Sequence, residues 1–182
     1  DLGVLHLQNK VTAASGAAAS RVKLFVREMR GTFSGGTAAS FKATMEAASR
    51  DPQVLEDLKD PFSLCPGFSG PKQPNPNEVR FDEDEGTWLA PFIMATINTK
   101  NVHRTNLLGG HAYGEDFVYD EMVVTGPGDA GEAAARKLAE FNPMAGDDGP
   151  KPGEGPSPEE REAGFFEMAV IGHDGDGQRY ET

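Results

Sequence analysis

The chain has 182 residues, a single cysteine and a formal net charge of −12. This length suffices for one domain with its own hydrophobic core, and a single cysteine excludes an internal disulfide and leaves a cysteine-based zinc site short of ligands. The excess of acid argues against a nucleic-acid partner, because binding a polyanion depends on neutralisation of its phosphates by Lys and Arg. A cytoplasmic location fits best; peripheral membrane or lipid association stays open, although no sequence feature supports it.

The charge is unevenly distributed along the chain. Residues 1–50 carry seven basic and three acidic side chains, a net charge of +4, so residues 51–182 carry −16. An anionic ligand should therefore prefer the first segment. The favoured alternative is that the acidic residues simply keep the protein soluble.

The first third of the sequence predicts a helix, a strand and two helices. An apolar start followed by an Ala/Ser-rich run predicts a short helix that ends near Gly16. Strict alternation over residues 21–30 predicts a strand with one face toward the core and Phe25 on the other. Apolar residues at three- and four-residue steps predict a helix over residues 37–50, and a shorter helix over residues 52–58 begins with a proline.

The remaining elements begin with an extended surface loop, because residues 60–86 contain five prolines. A nearly continuous apolar run at 88–97 indicates a buried segment that leads into a helix. Further patterns predict a strand at 117–124, a helix at 130–141, a flexible Gly/Pro-rich excursion at 146–158 and a hairpin of residues 165–171 and 178–181. This order predicts an α+β fold in one domain, with a mostly antiparallel sheet and helices on one face.

The glycine-rich turn at residues 31–37 does not form a dinucleotide-binding fingerprint. Residues 31–37 lie between a predicted strand and a predicted helix, but their glycines match neither G-x-G-x-x-G nor the spacing of a P-loop. We therefore expect residues 1–182 to bind no nucleotide cofactor by themselves.

The first candidate site is the turn before the second helix, formed by Ser34, Gly35, Gly36 and Thr37. Free amide groups at a helix N-terminus, close to Arg27 and Arg30, are suited to an anionic ligand. Ser or Thr with glycines before a helix is also ordinary capping chemistry, and capping alone is the favoured interpretation.

The second candidate site is the polar cluster that follows the buried apolar run, formed by Asn98, Thr99, His103, Arg104 and Asn106. In this cluster His103 could act as an acid and Arg104 as an anion clamp. The alternative, in which Asn98 or Thr99 caps a helix and Arg104 pairs with an acidic neighbour, is slightly favoured. No catalytic residue is assigned, and the spacing of histidines and carboxylates indicates no metal site.

Four collinear stretches carry a family resemblance. They are REMRGTFSGGTAAS at 27–40, APFIMA at 90–95 with INT at 97–99 and RTN at 104–106, AYG at 112–114 with FVYDE at 117–121, and KPGEGPS at 151–157. Together they resemble the part that follows the Rossmann domain in saccharopine dehydrogenase-like oxidoreductases, a family that includes proteins called trans-acting enoyl reductases.

The resemblance implies the C-terminal, non-Rossmann part of a two-domain NAD(P)-dependent oxidoreductase. In such a protein the N-terminal Rossmann domain, absent from residues 1–182, binds NAD or NADP, and this part shapes the substrate pocket and contributes to a homodimer. The fragment alone is then expected to be inactive. The alternative is a non-catalytic lipid-associated or protein-interaction module on the same scaffold, with the proline-rich loop and residues 88–97 as its contact surface.

Overall fold

A computed structural model describes residues 1–32, 34–140 and 151–182. Its elements in chain order are α1 (Leu2–Ser15), β1 (Arg21–Arg30), α2 (Gly35–Arg50), α3 (Pro52–Lys59), β2 (Arg80–Asp82), β3 (Thr87–Pro91), α4 (Ala95–Leu108), β4 (Val118–Gly126), α5 (Gly128–Glu140), α6 (Pro158–Ala163), β5 (Phe165–His173) and β6 (Arg179–Glu181). No helix among these residues has the length and apolar composition needed to cross a membrane.

The described strands form one mixed sheet of six strands, in the order β2-β3-β4-β1-β5-β6. The central strands β1 and β4 are parallel, with Arg21 opposite Val118, and the other four pairings are antiparallel. The predicted α+β fold with a mostly antiparallel sheet is confirmed.

The main hydrophobic core lies between the sheet and two helices. Leu7 and Val11 of α1 and Val102 of α4 are almost fully buried against Val22 of β1 and Tyr119 of β4. Burial of such side chains is the principal favourable term in folding, at about 1.5–3 kcal/mol for each. The core therefore fixes α4 against β4, and this packing positions the candidate site.

β1 is buried on both faces at Phe25, where the prediction of a single core face is wrong. Phe25 is 1% exposed and belongs to a second apolar cluster with Met122 of β4 and Ala169 of β5. The difference arises because β1 is a central strand, and both of its neighbours present apolar side chains to that face.

Local capping explains most helix boundaries. α1 ends at Gly16, whose left-handed φ of 83° suits glycine, as predicted. α2 begins after Ser34, whose Oγ accepts a hydrogen bond from the Thr37 amide at 3.3 Å, and α3 begins with Pro52 after the side chain of Asp51 accepts from the Gln53 amide at 2.9 Å. Both helices agree with the sequence pattern.

Two elements differ from the predictions. The proline-rich loop contains β2, which pairs with β3. The excursion predicted at 146–158 ends in the start of α6, which begins at Pro158 with a capping box of Ser157 and Glu160. The first five residues of that excursion, and Phe141 at the predicted end of the preceding helix, lie outside the described residues.

Gly131 allows α5 to pack on the turn from which it starts. A Cβ at this position would lie 2.0 Å from the backbone oxygen of Gly126, and the Gly131 carbonyl also accepts a hydrogen bond from Thr125 Oγ1 at 2.9 Å. The turn is backbone and cannot move aside as a flexible side chain can, so the contact requires glycine.

We predict that Gly131→Ala lowers the free energy of unfolding by about 1–3 kcal/mol, because the added methyl overpacks a backbone contact. Urea titration followed by circular dichroism measures the change. Gly36→Ala is the matched control in another helix, since a Cβ there would lie 3.7 Å from Ser34 Oγ, and its effect should be neutral or stabilising by up to about 1 kcal/mol. Equal losses in both variants would contradict the packing argument.

Candidate functional site

A cavity of about 620 Å³ lies between α4 and the proline-rich loop, and we call it the polar cavity. The N-terminal two-thirds of α4 forms one wall with Thr96, Thr99, Lys100 and His103. The other walls come from residues 58–62, loop residues 70–77, and Tyr119 and Asp120 of β4. The four α4 residues follow the i, i+3, i+4, i+7 spacing, so one side of the helix carries all of them.

Gln73 fixes the loop against β4. Its Oε1 accepts a hydrogen bond from the Tyr119 amide at 2.9 Å, and its Nε2 donates to the Phe117 carbonyl at 3.2 Å. The loop therefore has a defined position opposite α4, which is why an irregular segment can form a cavity wall.

Lys100 is a buried cation in the wall of the polar cavity. Lys100 is 5% exposed, and its Nζ donates a hydrogen bond to the backbone carbonyl of Asp60. Burial lowers the pKa of Lys100, while the negative charges of Asp60 and Asp57 act in the opposite direction. No carboxylate in the described part of the chain forms an ion pair with this ammonium group.

His103 lies one turn further along α4 and is 3% exposed. Its ring packs between Phe62, at a centroid distance of 4.6 Å, and Phe117, at 5.8 Å. Its Nε2 is buried and has no hydrogen-bond partner among the described residues. Burial, with a smaller contribution from the positive charge of Lys100, lowers the pKa of His103 to about 4, so the imidazole is neutral at pH 7.

A buried acidic residue, Glu121, lies close to this wall. Glu121 accepts hydrogen bonds from the Tyr119 hydroxyl and from Asn98 Nδ2, each at 2.8 Å. Burial raises the pKa of Glu121, although both hydrogen bonds act to lower it. The Tyr119 ring thus reaches from the wall of the polar cavity to a buried carboxyl group.

Asp120 connects the polar cavity to the sheet. Its carboxylate is 2% exposed and forms ion pairs with Arg21 of β1 and Arg80 of β2. Two guanidinium groups offset the negative charge that Asp120 would otherwise add to the cavity wall.

A second depression of about 690 Å³ lies beside the first, and we call it the apolar groove. Its lining comes from Ser34 and α2, from Leu58 of α3, and from the residues before α4 and its first turn. Half of the lining residues are hydrophobic: Phe41, Met45, Leu58, Ile93, Met94 and Ile97; the others are Ser34, Gly36, Thr37, Ser40, Thr44 and Thr96. Leu58 and Thr96 line both depressions, so the polar cavity and the apolar groove adjoin each other.

The turn of Ser34, Gly35, Gly36 and Thr37 contributes three of its residues to the apolar groove. Part of its hydrogen-bonding capacity is used within the fold. The Gly35 amide donates to the Glu154 carbonyl at 2.9 Å, and the Thr37 amide donates to Ser34 Oγ. Arg27, expected near an anion at this turn, forms an ion pair with Glu181 at 2.8 Å. Capping is present, and an added anion-binding role stays a prediction.

The second predicted cluster separates into different roles. α4 begins at Ala95, so the prediction that Asn98 or Thr99 caps it is wrong: both lie inside the helix, Asn98 bound to Glu121 and Thr99 lining the polar cavity. The reason is that α4 starts four residues earlier than the polar residues suggested.

Arg104 and Asn106 make contacts with the backbone of neighbouring loops. Arg104 donates to the Leu64 carbonyl at 2.5 Å instead of pairing with an acidic neighbour. Asn106 accepts from the Tyr113 amide and donates to the Gly114 carbonyl, both at 2.8 Å. Neither residue lines the polar cavity or the apolar groove.

Sequence reasoning missed Lys100, Tyr119 and Glu121. A signal for Lys100 was present, because it lies on the same helical face as His103, three residues away. Tyr119 and Glu121 lie in an alternating strand, where their pattern resembles that of any half-buried strand. No group of three or more His, Cys, Asp or Glu side chains in residues 1–32, 34–140 and 151–182 is placed to hold a metal ion.

The chain is thus an α+β domain with a polar and an apolar depression side by side. Along 99% of its length the chain is 32% identical to a Mycobacterium tuberculosis protein provisionally named a trans-acting enoyl reductase. It is also similar to proteins named trans-acting enoyl reductase from Mycobacterium ulcerans, at 28% identity over 99% of the chain, and Mycobacterium bovis, at 29% identity over 82%. These similarities support a relationship with enoyl reductase-type proteins.

The chain spans about half the length of the curated relatives it matches, 49% for the first two and 41% for the third. No family model matches the chain. No solved structure matches it either.

We predict that the buried His103 makes the protein sensitive to acid between about pH 6.5 and pH 4. In this interval the unfolded chain binds a proton at the imidazole that the folded chain does not bind, so the free energy of unfolding falls as pH falls. The contribution of His103 should be about 2 kcal/mol smaller at pH 5 than at pH 7, as measured by urea unfolding at both pH values.

His103→Phe retains an aromatic ring between Phe62 and Phe117 and should remove this component. His6→Gln, which changes an exposed imidazole on α1, is the control and should keep the wild-type difference between the two pH values. An undiminished pH difference in His103→Phe would show that another group is responsible.

Proposed function

We propose that residues 1–182 form the substrate-side domain of a saccharopine dehydrogenase-like, NAD(P)-dependent oxidoreductase that reduces an enoyl group. Two observations support this. The relatives that match 99% of the chain are named trans-acting enoyl reductases, and about half of their length lies outside the match. In this proposal a Rossmann domain outside residues 1–182 binds NAD or NADP.

The observation that carries the proposal is the contact between the apolar groove and the polar cavity across Leu58 and Thr96. An enoyl substrate has a hydrocarbon chain joined to a polar acyl carbon. The groove suits the hydrocarbon chain and the polar cavity suits the polar end. The volume of each depression is within the range of small-molecule sites in proteins.

Two glycine-rich turns in the described residues join a strand to a helix, and neither belongs to a Rossmann-type unit of successive, neighbouring parallel strands. At the first turn, capping occupies the Ser34 hydroxyl, and the Gly35 amide is bound to Glu154. Residues 126–131 have the G-x-G-x-x-G spacing between β4 and α5, but the next strand, β5, is antiparallel to β1 and does not pair with β4. NADH or NADPH, bound elsewhere in the protein, would supply the hydride.

The task of this domain is therefore to bind and orient the substrate. Apolar side chains of α2 and of the segment before α4 would hold the hydrocarbon chain and exclude water from it. The part of α4 between the two depressions would then set the distance from the hydrocarbon chain to the polar end. Binding energy from the remote chain positions the reacting carbons.

The interaction-module alternative is not proposed, because the relatives that match the chain are named enoyl reductases and part of the suggested surface is buried. Leu89 and Ala90, within the run at 88–97, have no exposed area and lie in β3, between β2 and β4. Association with a Rossmann domain, a homodimer and a cytoplasmic location stay predictions.

We predict that Ile97→Gln in the full-length protein raises KM for a long-chain enoyl thioester about tenfold, because a polar side chain replaces an apolar contact in the groove. KM for a short-chain enoyl thioester should change little, since that substrate does not extend along the groove. Initial rates of NADH or NADPH oxidation measure both values.

Leu108→Gln is the matched control on the same helix. Leu108 is 72% exposed, Ile97 is 44% exposed, and only Ile97 lines the groove. The control should leave both KM values unchanged. An equal rise for the two substrates in Ile97→Gln would contradict a hydrocarbon site in the groove.

We also predict that calorimetry detects saturable binding of NADH or NADPH to the full-length protein and none to residues 1–182. The physical reason is that pyrophosphate recognition requires the glycine-rich turn and helix N-terminus of a Rossmann unit. Circular dichroism of the fragment provides the folding control. Micromolar affinity of the folded fragment would contradict the assignment of the cofactor to another domain.

A further inference from the structure

We propose that the polar cavity is an oxyanion-binding site in which Lys100 and His103 receive a phosphate or carboxylate group of the ligand. The proposal deepens the proposed function and rests on it for the identity of the ligand as a substrate. The binding of an oxyanion itself can be measured without any turnover.

The first argument is the incomplete pairing of Lys100. An ammonium group has three N–H donors, and in the described part of the chain Nζ has one acceptor, the Asp60 carbonyl. A buried charge is costly unless an opposite charge or several hydrogen bonds compensate it. An oxyanion in the polar cavity would supply both the charge and the acceptors.

The second argument is the unpartnered nitrogen of His103. His103 is 3% exposed and lines the same cavity as Lys100. Its Nε2 has no hydrogen-bond partner among the described residues. A buried donor or acceptor without a partner costs roughly 1–3 kcal/mol, and such groups are rare in folded proteins. As the Nε2–H tautomer, the neutral imidazole would donate a hydrogen bond to the oxyanion.

The charges around the cavity favour an anion at this position. Asp120, the acidic residue among the described lining residues, is paired with Arg21 and Arg80. Lys59, the exposed cation at the rim, is paired with Glu56 at 2.9 Å.

Lys72 and Lys100 are the lining cations that form no ion pair with a carboxylate among the described residues, and of the two only Lys100 is buried. Asp57 and Asp60 act electrostatically on Lys100 but do not form an ion pair with it, so Lys100 supplies the buried positive charge of the cavity wall.

The cavity also offers uncharged hydrogen-bonding groups beside the two central residues. Asn75 and Asn77 of the loop and Thr96 and Thr99 of α4 line it. The side-chain amides of Asn75 and Asn77 and the Thr96 hydroxyl are suited to the polar atoms next to a phosphate or carboxylate. The Thr99 hydroxyl, in contrast, already donates to the Ala95 carbonyl at 2.7 Å. The site therefore combines the buried charged donor Lys100 with neutral donors on two opposite walls.

The test is calorimetric titration of the full-length protein with inorganic phosphate and, separately, with acetate, at constant ionic strength set by chloride. Lys100→Met should weaken binding of the preferred anion at least about tenfold, since a charge-assisted hydrogen bond is lost. Lys137→Met removes the same charge from an exposed position on α5 that does not line the cavity, and its affinity should stay within about twofold of wild type.

A second measurement does not depend on the fold of Lys100→Met. The imidazole resonances of His103, assigned by their loss in His103→Phe, should shift in the wild-type protein as phosphate or acetate is added. Preference for phosphate or for acetate identifies the group that the ligand carries, and either preference supports the proposal.

The proposal is overturned if neither anion shifts the His103 resonances, or if Lys100→Met and Lys137→Met weaken binding equally. Failure of the proposed function is a different result. Ile97→Gln would then have no selective effect on long-chain substrates, while anion binding at Lys100 could still be present.

Discussion

The buried ion-pair cluster at Asp120 is the constraint on which the sheet and the polar cavity both depend. Its carboxylate joins Arg21 at the start of β1 to Arg80 of β2, so three strands that are far apart in sequence meet at one charge. Removing one partner of such a pair typically costs about 3–5 kcal/mol, because it leaves a buried charge uncompensated. Since Asp120 also lines the polar cavity, the shape of the site is tied to the register of the parallel pair β1 and β4.

α4 lies between the polar cavity and the apolar groove and lines both of them. Val102 packs into the main core beneath the helix, and Asn98 is fixed by its hydrogen bond to Glu121. With these contacts in place, Lys100 and His103 line the polar cavity while Ile97 lines the apolar groove. A rigid helix that separates a hydrocarbon surface from a polar surface is a suitable support for a substrate that contains both kinds of group.

The comparison with the relatives gives this geometry a context. About half of each relative lies outside the matched region, and the described residues form a polar and an apolar depression side by side. In the proposed arrangement, another domain binds the cofactor and this domain orients the substrate. His103, buried and neutral at pH 7, then serves as a hydrogen-bonding group and not as a cation.

The sequence by itself determined the local structure. The alternation of residues 21–30, the Gly16 stop and the Ser34 and Asp51 caps fixed their elements, because dihedral preferences and neighbouring hydrogen bonds act over a few residues. It also placed Thr99 and His103 in a polar cluster. Only the tertiary structure decided that Phe25 is buried, that Lys100 faces Gln73 and Tyr119 across a cavity, and that Arg104 and Asn106 support loops. Most of these partners lie far apart along the chain, and no local pattern encodes which distant chain segment a side chain will meet.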